Sequence, residues 1–125
     1  MELSCLFCSL PKERIFLSNE FAYAIKDGFP VSNGHTLIIP RRHISSWFDT
    51  TEEERQELFE LLSLGKDVLT EELSPDGFNI GINDGPTAGQ TIPHLHIHLI
   101  PRYKNDQEDP RGGVRWVIPS KAKYW

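Results

Sequence analysis

Apolar residues recur at every second position in several short stretches of this chain, and at helical spacing in one long stretch. Arg14–Leu17 and Phe21–Lys26 read as two short strands around a Ser18-Asn19-Glu20 turn. Gly28–Gly34, with Pro30 and Asn33, reads as a loop, and His35–Ile39 as a β-rich run ended by Pro40. The period then changes: Leu58, Leu61, Leu62, Val68, Leu69 and Leu73 fall on one helical face. Thr50 and Thr51 each precede a glutamate by three residues, which offers a capping box, so the spacing predicts a helix over about Thr51–Glu72 with Gly65 as its weak point. After a Ser74-Pro75-Asp76-Gly77 turn, the pattern predicts a strand over Phe78–Ile82, a glycine-bearing loop over Asn83–Thr91 and a strand over Ile92–Ile100. Arg102–Gly113 is charged and turn-rich, and reads as a surface loop. The tail, residues 114–125, turns apolar again with Trp116, Val117, Ile118, Tyr124 and Trp125. So many apolar groups are expected to pack onto something, either their own domain or a partner subunit or the lip of a site.

The strand over Ile92–Ile100 contains the most informative residues: His94, Leu95, His96, Ile97, His98, Leu99 and Ile100. Alternation puts three imidazoles on one face and frees Leu95, Ile97 and Leu99 to bury on the other. On a regular strand the neighbouring rings stand about 7 Å apart and the outer two about 13 Å apart. Metal–nitrogen bonds of about 2 Å are too short for all three to share one ion without bending the strand. An extended row of imidazoles suits a chain of phosphates better.

Composition narrows the setting. A chain of 125 residues with 38 % hydrophobic and 25 % charged content is expected to form a single domain over residues 1–125. No apolar stretch approaches a membrane span, and the opening Met-Glu-Leu-Ser-Cys-Leu-Phe-Cys does not read as a signal peptide, so a cytoplasmic protein with no membrane partner is expected. A formal net charge of −5 argues against broad nucleic-acid binding while leaving room for a small phosphorylated ligand. The two cysteines, Cys5 and Cys8, form a C-x-x-C knuckle, a spacing that in a reducing compartment suggests metal or thiol chemistry more than a disulfide.

Three further groups accompany the histidine strand. The loop Asn83-Asp84-Gly85-Pro86-Thr87-Ala88-Gly89-Gln90-Thr91 supplies glycines for close backbone approach together with amide and hydroxyl donors, so next to three histidines it reads as a phosphate cradle. It lacks the lysine–serine/threonine ending of a Walker loop. His35 opens its strand and suits the orienting of a triad ring. Cys5 and Cys8 with His43 and one triad histidine would complete a tetrahedral two-cysteine, two-histidine site; buried thiols with an exposed His43 account for the same spacing equally well.

His94-Leu95-His96-Ile97-His98-Leu99-Ile100 resembles the signature of the histidine-triad superfamily at every position. Asp84-Gly85-Pro86, Ala88-Gly89-Gln90-Thr91 and Gly34-His35-Thr36-Leu37-Ile38-Ile39-Pro40 with His43 resemble that superfamily too, from Cys5 to about Arg102. The resemblance implies an α+β fold, an antiparallel sheet of about five strands with one long helix, paired into a homodimer. It implies a nucleotide substrate, with His96 attacking the α-phosphate to give a covalent nucleotidyl-histidine that water cleaves. His98 would hold phosphate oxygens with Gly89, Gln90, Thr91 and Asn83, and Asp27 would meet the ribose hydroxyls; His35 joins the catalytic group. Where Asn83 stands the family often has glutamine, which leaves the leaving group open. Zinc-bearing branches of the superfamily are similar to this chain at Cys5, Cys8, His43 and His94, which implies a structural Zn2+ and no metal needed for the chemistry.

The chemistry agrees with that implication. Histidine near neutral pH is largely unprotonated and attacks phosphorus without a separate base, and positioned donors stabilise the developing charge. The expected function is a nucleotidyl hydrolase or transferase acting on dinucleoside polyphosphates or related adenylates. The alternatives are a nucleoside phosphoramidate hydrolase, a purine-nucleotide-binding module with little turnover, and a hydrolase with its metal on the triad.

Overall fold

The computed structural model describes residues 4–125; residues 1–3, the first part of the opening that carries the expectation of no leader, lie outside the described residues. Five strands form one antiparallel sheet: β1 (Ile15–Ser18), β2 (Ala22–Lys26), β3 (Thr36–Pro40), β4 (Gly77–Gly81) and β5 (Ile97–Arg102), in the order β1-β2-β3-β5-β4. One long helix, α1 (Glu52–Leu73), lies between β3 and β4 in the chain, and a single short helical turn, α2 (Pro119–Ala122), stands near the end. The α+β architecture with one main helix is the one expected.

α1 starts where its sequence says it should. Thr51 accepts from the Glu54 amide while the Glu54 carboxylate accepts from the Thr51 amide, so Thr51, not Thr50, caps the helix. Glu52, Glu53 and Glu54 sit in the first turn, where the helix dipole favours negative charge. The helix runs unbroken through Gly65. That residue is buried, and a side-chain carbon there would stand 3.3 Å from Leu99 and 3.7 Å from Ile38. Gly65 is therefore a point of close helix–sheet approach, not a weak point.

The central strands are buried on both faces. On the helix side, Ala22 and Ala24 of β2 and Ile38 of β3 pack with Leu58, Leu61, Leu95 and Ile97. The opposite face carries Tyr23, Ile25, Leu37 and Ile39, which pack with Cys5 and Phe7 from the N-terminal segment. The buried Tyr23 hydroxyl donates to the Phe7 carbonyl and ties that segment to the sheet; burial, reinforced by Cys8 and Cys5, pushes its phenol up to about 12.

The histidine strand is displaced from its expected bounds: β5 covers Ile97–Arg102, not Ile92–Ile100. Pro93 has no N–H for a ladder, the His94 amide turns back to the Ile92 carbonyl, and the Leu95 amide reaches the Ile44 carbonyl, so sheet pairing starts only at Ile97 opposite Ile38. At its far end the strand continues through Pro101. β3 has ended there, and Pro101 presents its carbonyl to the Ser32 hydroxyl at 2.6 Å, so no ladder donor is missed. The segment expected as a loop from Arg102 therefore opens with the last residue of a strand.

Gly34 sets the entry to β3. Its φ of +92° lies in the left-handed region, and a side-chain carbon would come within 2.6 Å of Leu73 and 3.1 Å of Leu69 at the end of α1. Gly34→Ala is expected to cost about 2–4 kcal/mol from backbone strain and overpacking together. Urea unfolding measures this; a loss below 1 kcal/mol would show that the loop relaxes freely.

Candidate functional site

All five histidines of the chain gather in two adjoining clusters. In the first, Cys5, Cys8, His43 and His94 converge: Cys5 Sγ and Cys8 Sγ each lie 3.5 Å from His94 Nδ1, Cys8 Sγ lies 3.3 Å from His43 Nδ1, and the two Nδ1 atoms are 3.1 Å apart. Three segments supply them. The N-terminal knuckle is held by Tyr23, His94 comes from the bend before β5, and His43 follows β3. Arg42, next to His43, forks onto the buried Glu54 carboxylate at 3.0 and 2.8 Å, so the cap of α1 anchors the His43 segment. This guanidinium holds the Glu54 carboxyl below its ordinary range.

The donor set suits one tetrahedral ion. Bonds of about 2.0–2.1 Å to nitrogen and about 2.3 Å to sulfur require donor–donor separations of roughly 3.3–3.8 Å. The observed separations cluster around that range. His94 Nε2 donates to the Pro40 carbonyl at 2.8 Å, which leaves the Nδ1 lone pair turned toward the cysteines. Cys5 and Cys8 form no disulfide.

The second cluster contains His96, His98, His35 and Asp27. Its hydrogen bonds assign each tautomer. His96 Nδ1 donates to the His94 carbonyl at 2.9 Å, so Nε2 carries the lone pair. His35 Nδ1 accepts from the Val31 amide at 3.1 Å, and its Nε2 then donates to His98 Nδ1 at 2.9 Å. His98 is thereby left with a proton on Nε2. The His96 and His98 rings stand 5.1 Å apart, centroid to centroid, closer than the roughly 7 Å expected from a regular strand. Phe7 lies edge-on to His96 at 5.1 Å and to His94 at 5.8 Å. Among the described residues Asp27, His35 and His98 also converge, with Asp27 Oδ2 3.4 Å from His35 Nε2, but the His35–His98 hydrogen bond occupies the ring nitrogens that a metal there would need.

Burial, then the neighbouring His96 and His35, push His98 down to about 4, and burial lowers His35 against the opposing pull of Asp27. His98 is thus a neutral donor at physiological pH. Because its folded value lies below the unfolded value, the unfolded chain takes up the proton first. The stability that neutral His98 contributes is complete above pH 6.5, falls as pH drops from 6.5 toward 4, and changes no further below that; its size is on the order of 3 kcal/mol. An NMR titration of the imidazoles is expected to place His98 near 4, and a midpoint near 6.5 would contradict the assignment.

The loop over residues 83–91 curls through a 3-10 turn at Pro86–Ala88, and Gly89 takes φ +100°. Gln90 differs from its expected use: Oε1 accepts from the Gly85 amide at 2.9 Å, while Nε2 donates to the Ser45 and Ile92 carbonyls at 2.9 and 3.1 Å. Both amide protons are committed, so this side chain shapes the loop; the exposed Gly89 and Thr91 stand at its outer edge. Asp84 likewise faces inward, accepting from Ser46 Oγ and the Trp47 amide. Asn83 lies under Gly89. Sequence reasoning missed Val31, Phe7 and the Arg42–Glu54 pair; only the capping box signalled any of them.

A family description matches residues 11–105 as a HIT domain. Among relatives, a bis(5'-adenosyl)-triphosphatase of Saccharomyces cerevisiae is 40 % identical over 117 residues, covering 93 % of this chain and 54 % of its own. The chain thus spans about half the length of that relative. Among solved structures, a zinc-bound histidine triad family protein of Mycobacterium smegmatis superposes with a TM-score of 0.74 at 32 % identity, covering 96 % of this chain and 94 % of the other. A diadenosine triphosphate hydrolase of Plasmodium falciparum, bound to cyclomarin A, superposes at 0.75 with 29 % identity, over 80 % of this chain and 68 % of the other.

Proposed function

The chain belongs to the HIT domain family, and on that premise we propose that it is a nucleotide hydrolase acting at the α-phosphate of dinucleoside polyphosphates. The observation that carries this reading is the pair of tautomers at His96 and His98: one ring offers a lone pair and its neighbour offers a proton. His96 Nε2 attacks the α-phosphorus. The N–P bond forms as the P–O bond to the leaving phosphate breaks, and the leaving nucleotide keeps the electron pair. His98 Nε2–H donates to a phosphate oxygen where negative charge builds. His35 is a positioning residue, holding His98 in its donor tautomer. Water then cleaves the nucleotidyl-histidine. Asp27 is proposed at the ribose hydroxyls, and Asn83, Gly89 and Thr91 at the phosphates.

Cys5, Cys8, His43 and His94 are proposed to hold a structural Zn2+, which when bound supplies a fixed anchor for the bend before β5. No step of the chemistry needs it. Two thiols at such a site fit a reducing compartment, and we place the protein in the cytoplasm; among the described residues no helix is long and apolar enough to cross a membrane. A homodimer is proposed as well: β4 is an edge strand, and its Ile80 is 51 % exposed.

A labelled dinucleoside polyphosphate, mixed with the protein and quenched within milliseconds to seconds, should leave a nucleotidyl group on His96 by mass spectrometry. Product formation without an adduct would overturn the nucleophilic step. Tight binding with neither adduct nor product would favour the binding module, and faster cleavage of an adenosine phosphoramidate in the same panel would reassign the leaving group.

A further inference from the structure

Residues 110–125 carry Arg111, Arg115, Lys121 and Lys123 and no Asp or Glu, in a chain whose formal net charge is −5. Aromatic rings are interleaved with these cations. Arg111 lies 4.4 Å from the Trp125 ring centre, Arg115 lies 4.8 Å from that of Tyr124, and Tyr124 is 72 % exposed. The segment is folded: Arg115 donates to the Ala122 and Lys121 carbonyls at 2.9 and 2.6 Å, and Trp116 donates to the Arg111 carbonyl at 2.9 Å.

The sheet register gives this platform its place. His98, Ile100 and Arg102 alternate onto one face of β5, and Gly81 and Asn79 of β4 stand opposite His98 and Ile100. A side-chain carbon on Gly113 would come within 3.2 Å of the Asn79 amide nitrogen, so the tail rests on the same face as His98, one register step along. Between them the floor is open, because a side-chain carbon at Gly81 would meet nothing within 4 Å.

We propose that the tail is a second nucleotide subsite, which takes the leaving half of a dinucleoside polyphosphate as the chain of phosphates passes from His98 over Gly81. This rests on the hydrolase reading above. A ring already covered on one side by a guanidinium offers its other side to a purine, and the cations of residues 110–125, of which Arg111 is already paired with Asp109 at 3.0 Å, complement the phosphates. The net-acidic chain supplies this basic aromatic surface on the face where the leaving group must exit.

Two substrates with the same adenylyl half test the subsite: diadenosine tetraphosphate, and adenosine 5′-(4-nitrophenyl phosphate), whose leaving group is too short to reach the tail. For Tyr124→Ala, and independently for Gly81→Leu, KM for the dinucleotide is expected to rise about tenfold with kcat within twofold, while both constants for the small ester stay unchanged. A non-cleavable dinucleoside polyphosphate should also quench the tryptophan emission of a Trp47→Phe variant, in which only Trp116 and Trp125 remain, and AMP should not. Parallel losses on both substrates, no loss on either, or equal quenching by AMP would overturn the subsite and leave the hydrolase reading standing. A wild-type protein that cleaves neither substrate would overturn both.

Discussion

Replacing His96 by asparagine is expected to lower kcat by roughly 10⁴–10⁶-fold, the range seen when an enzyme loses the atom that bonds to its substrate. Asparagine keeps a polar group of similar reach at a buried position, so the fold should survive; His96 is only 8 % exposed, and its Nδ1 donates to the His94 carbonyl two residues before it. Binding of a non-cleavable dinucleoside polyphosphate should stay within about threefold, since binding draws on His98 and the loop more than on the attacking nitrogen. The same substitution at His98 separates donor from nucleophile. It removes a charge-stabilising proton and is expected to cost about 10²–10³-fold, with the covalent adduct still forming. Kinetics on the two variants decide the matter: equal losses at both positions would merge the two roles, and a His96→Asn protein that retained even a tenth of its turnover would remove His96 from the bond-making step.

The roles of these rings were legible in the sequence to different depths. Alternation located the histidines and the burial of Leu95, Ile97 and Leu99 behind them, and the Thr51–Glu54 box located the start of α1. These are short-range signals, carried by neighbours in the chain. The bounds of β5 were not legible, because they depend on contacts from afar: Ile44 captures the Leu95 amide, and His94 leaves the row to join residues 5, 8 and 43. The hydrogen bonds that Gln90 makes within the protein were not legible for a related reason. An amide in a loop beside a phosphate site suggests a donor to phosphate, yet its two protons are used by carbonyls that only the folded chain brings within reach. Val31 offers no signal at all, since its part is played by a backbone amide at the turn into β3.

The largest effect on stability is expected at the cysteine–histidine cluster. One equivalent of zinc should copurify with the protein, and Cys5→Ser should lose it. Structural zinc ties its free energy of binding to folding, because the site does not exist in the unfolded chain. Here the cluster joins the N-terminal knuckle, the Arg42-His43 segment and the bend before β5, three parts of the chain far apart in sequence. Its loss is expected to cost about 3–5 kcal/mol, or roughly 10–20 °C in Tm for a chain of this length. A chelator should act on the wild-type protein in the same direction and leave the Cys5→Ser variant unmoved. The effect on chemistry should be smaller and indirect. The carbonyl that fixes the His96 tautomer belongs to His94, so when His94 loses its anchor the nucleophile loses its orientation, and kcat should fall about 10–100-fold while KM changes less. Metal analysis, thermal melts and kinetics on one preparation separate these claims. A zinc-free protein with undiminished Tm would refute the structural role, and a destabilised variant with full kcat would show that His94 holds its carbonyl in place without the metal.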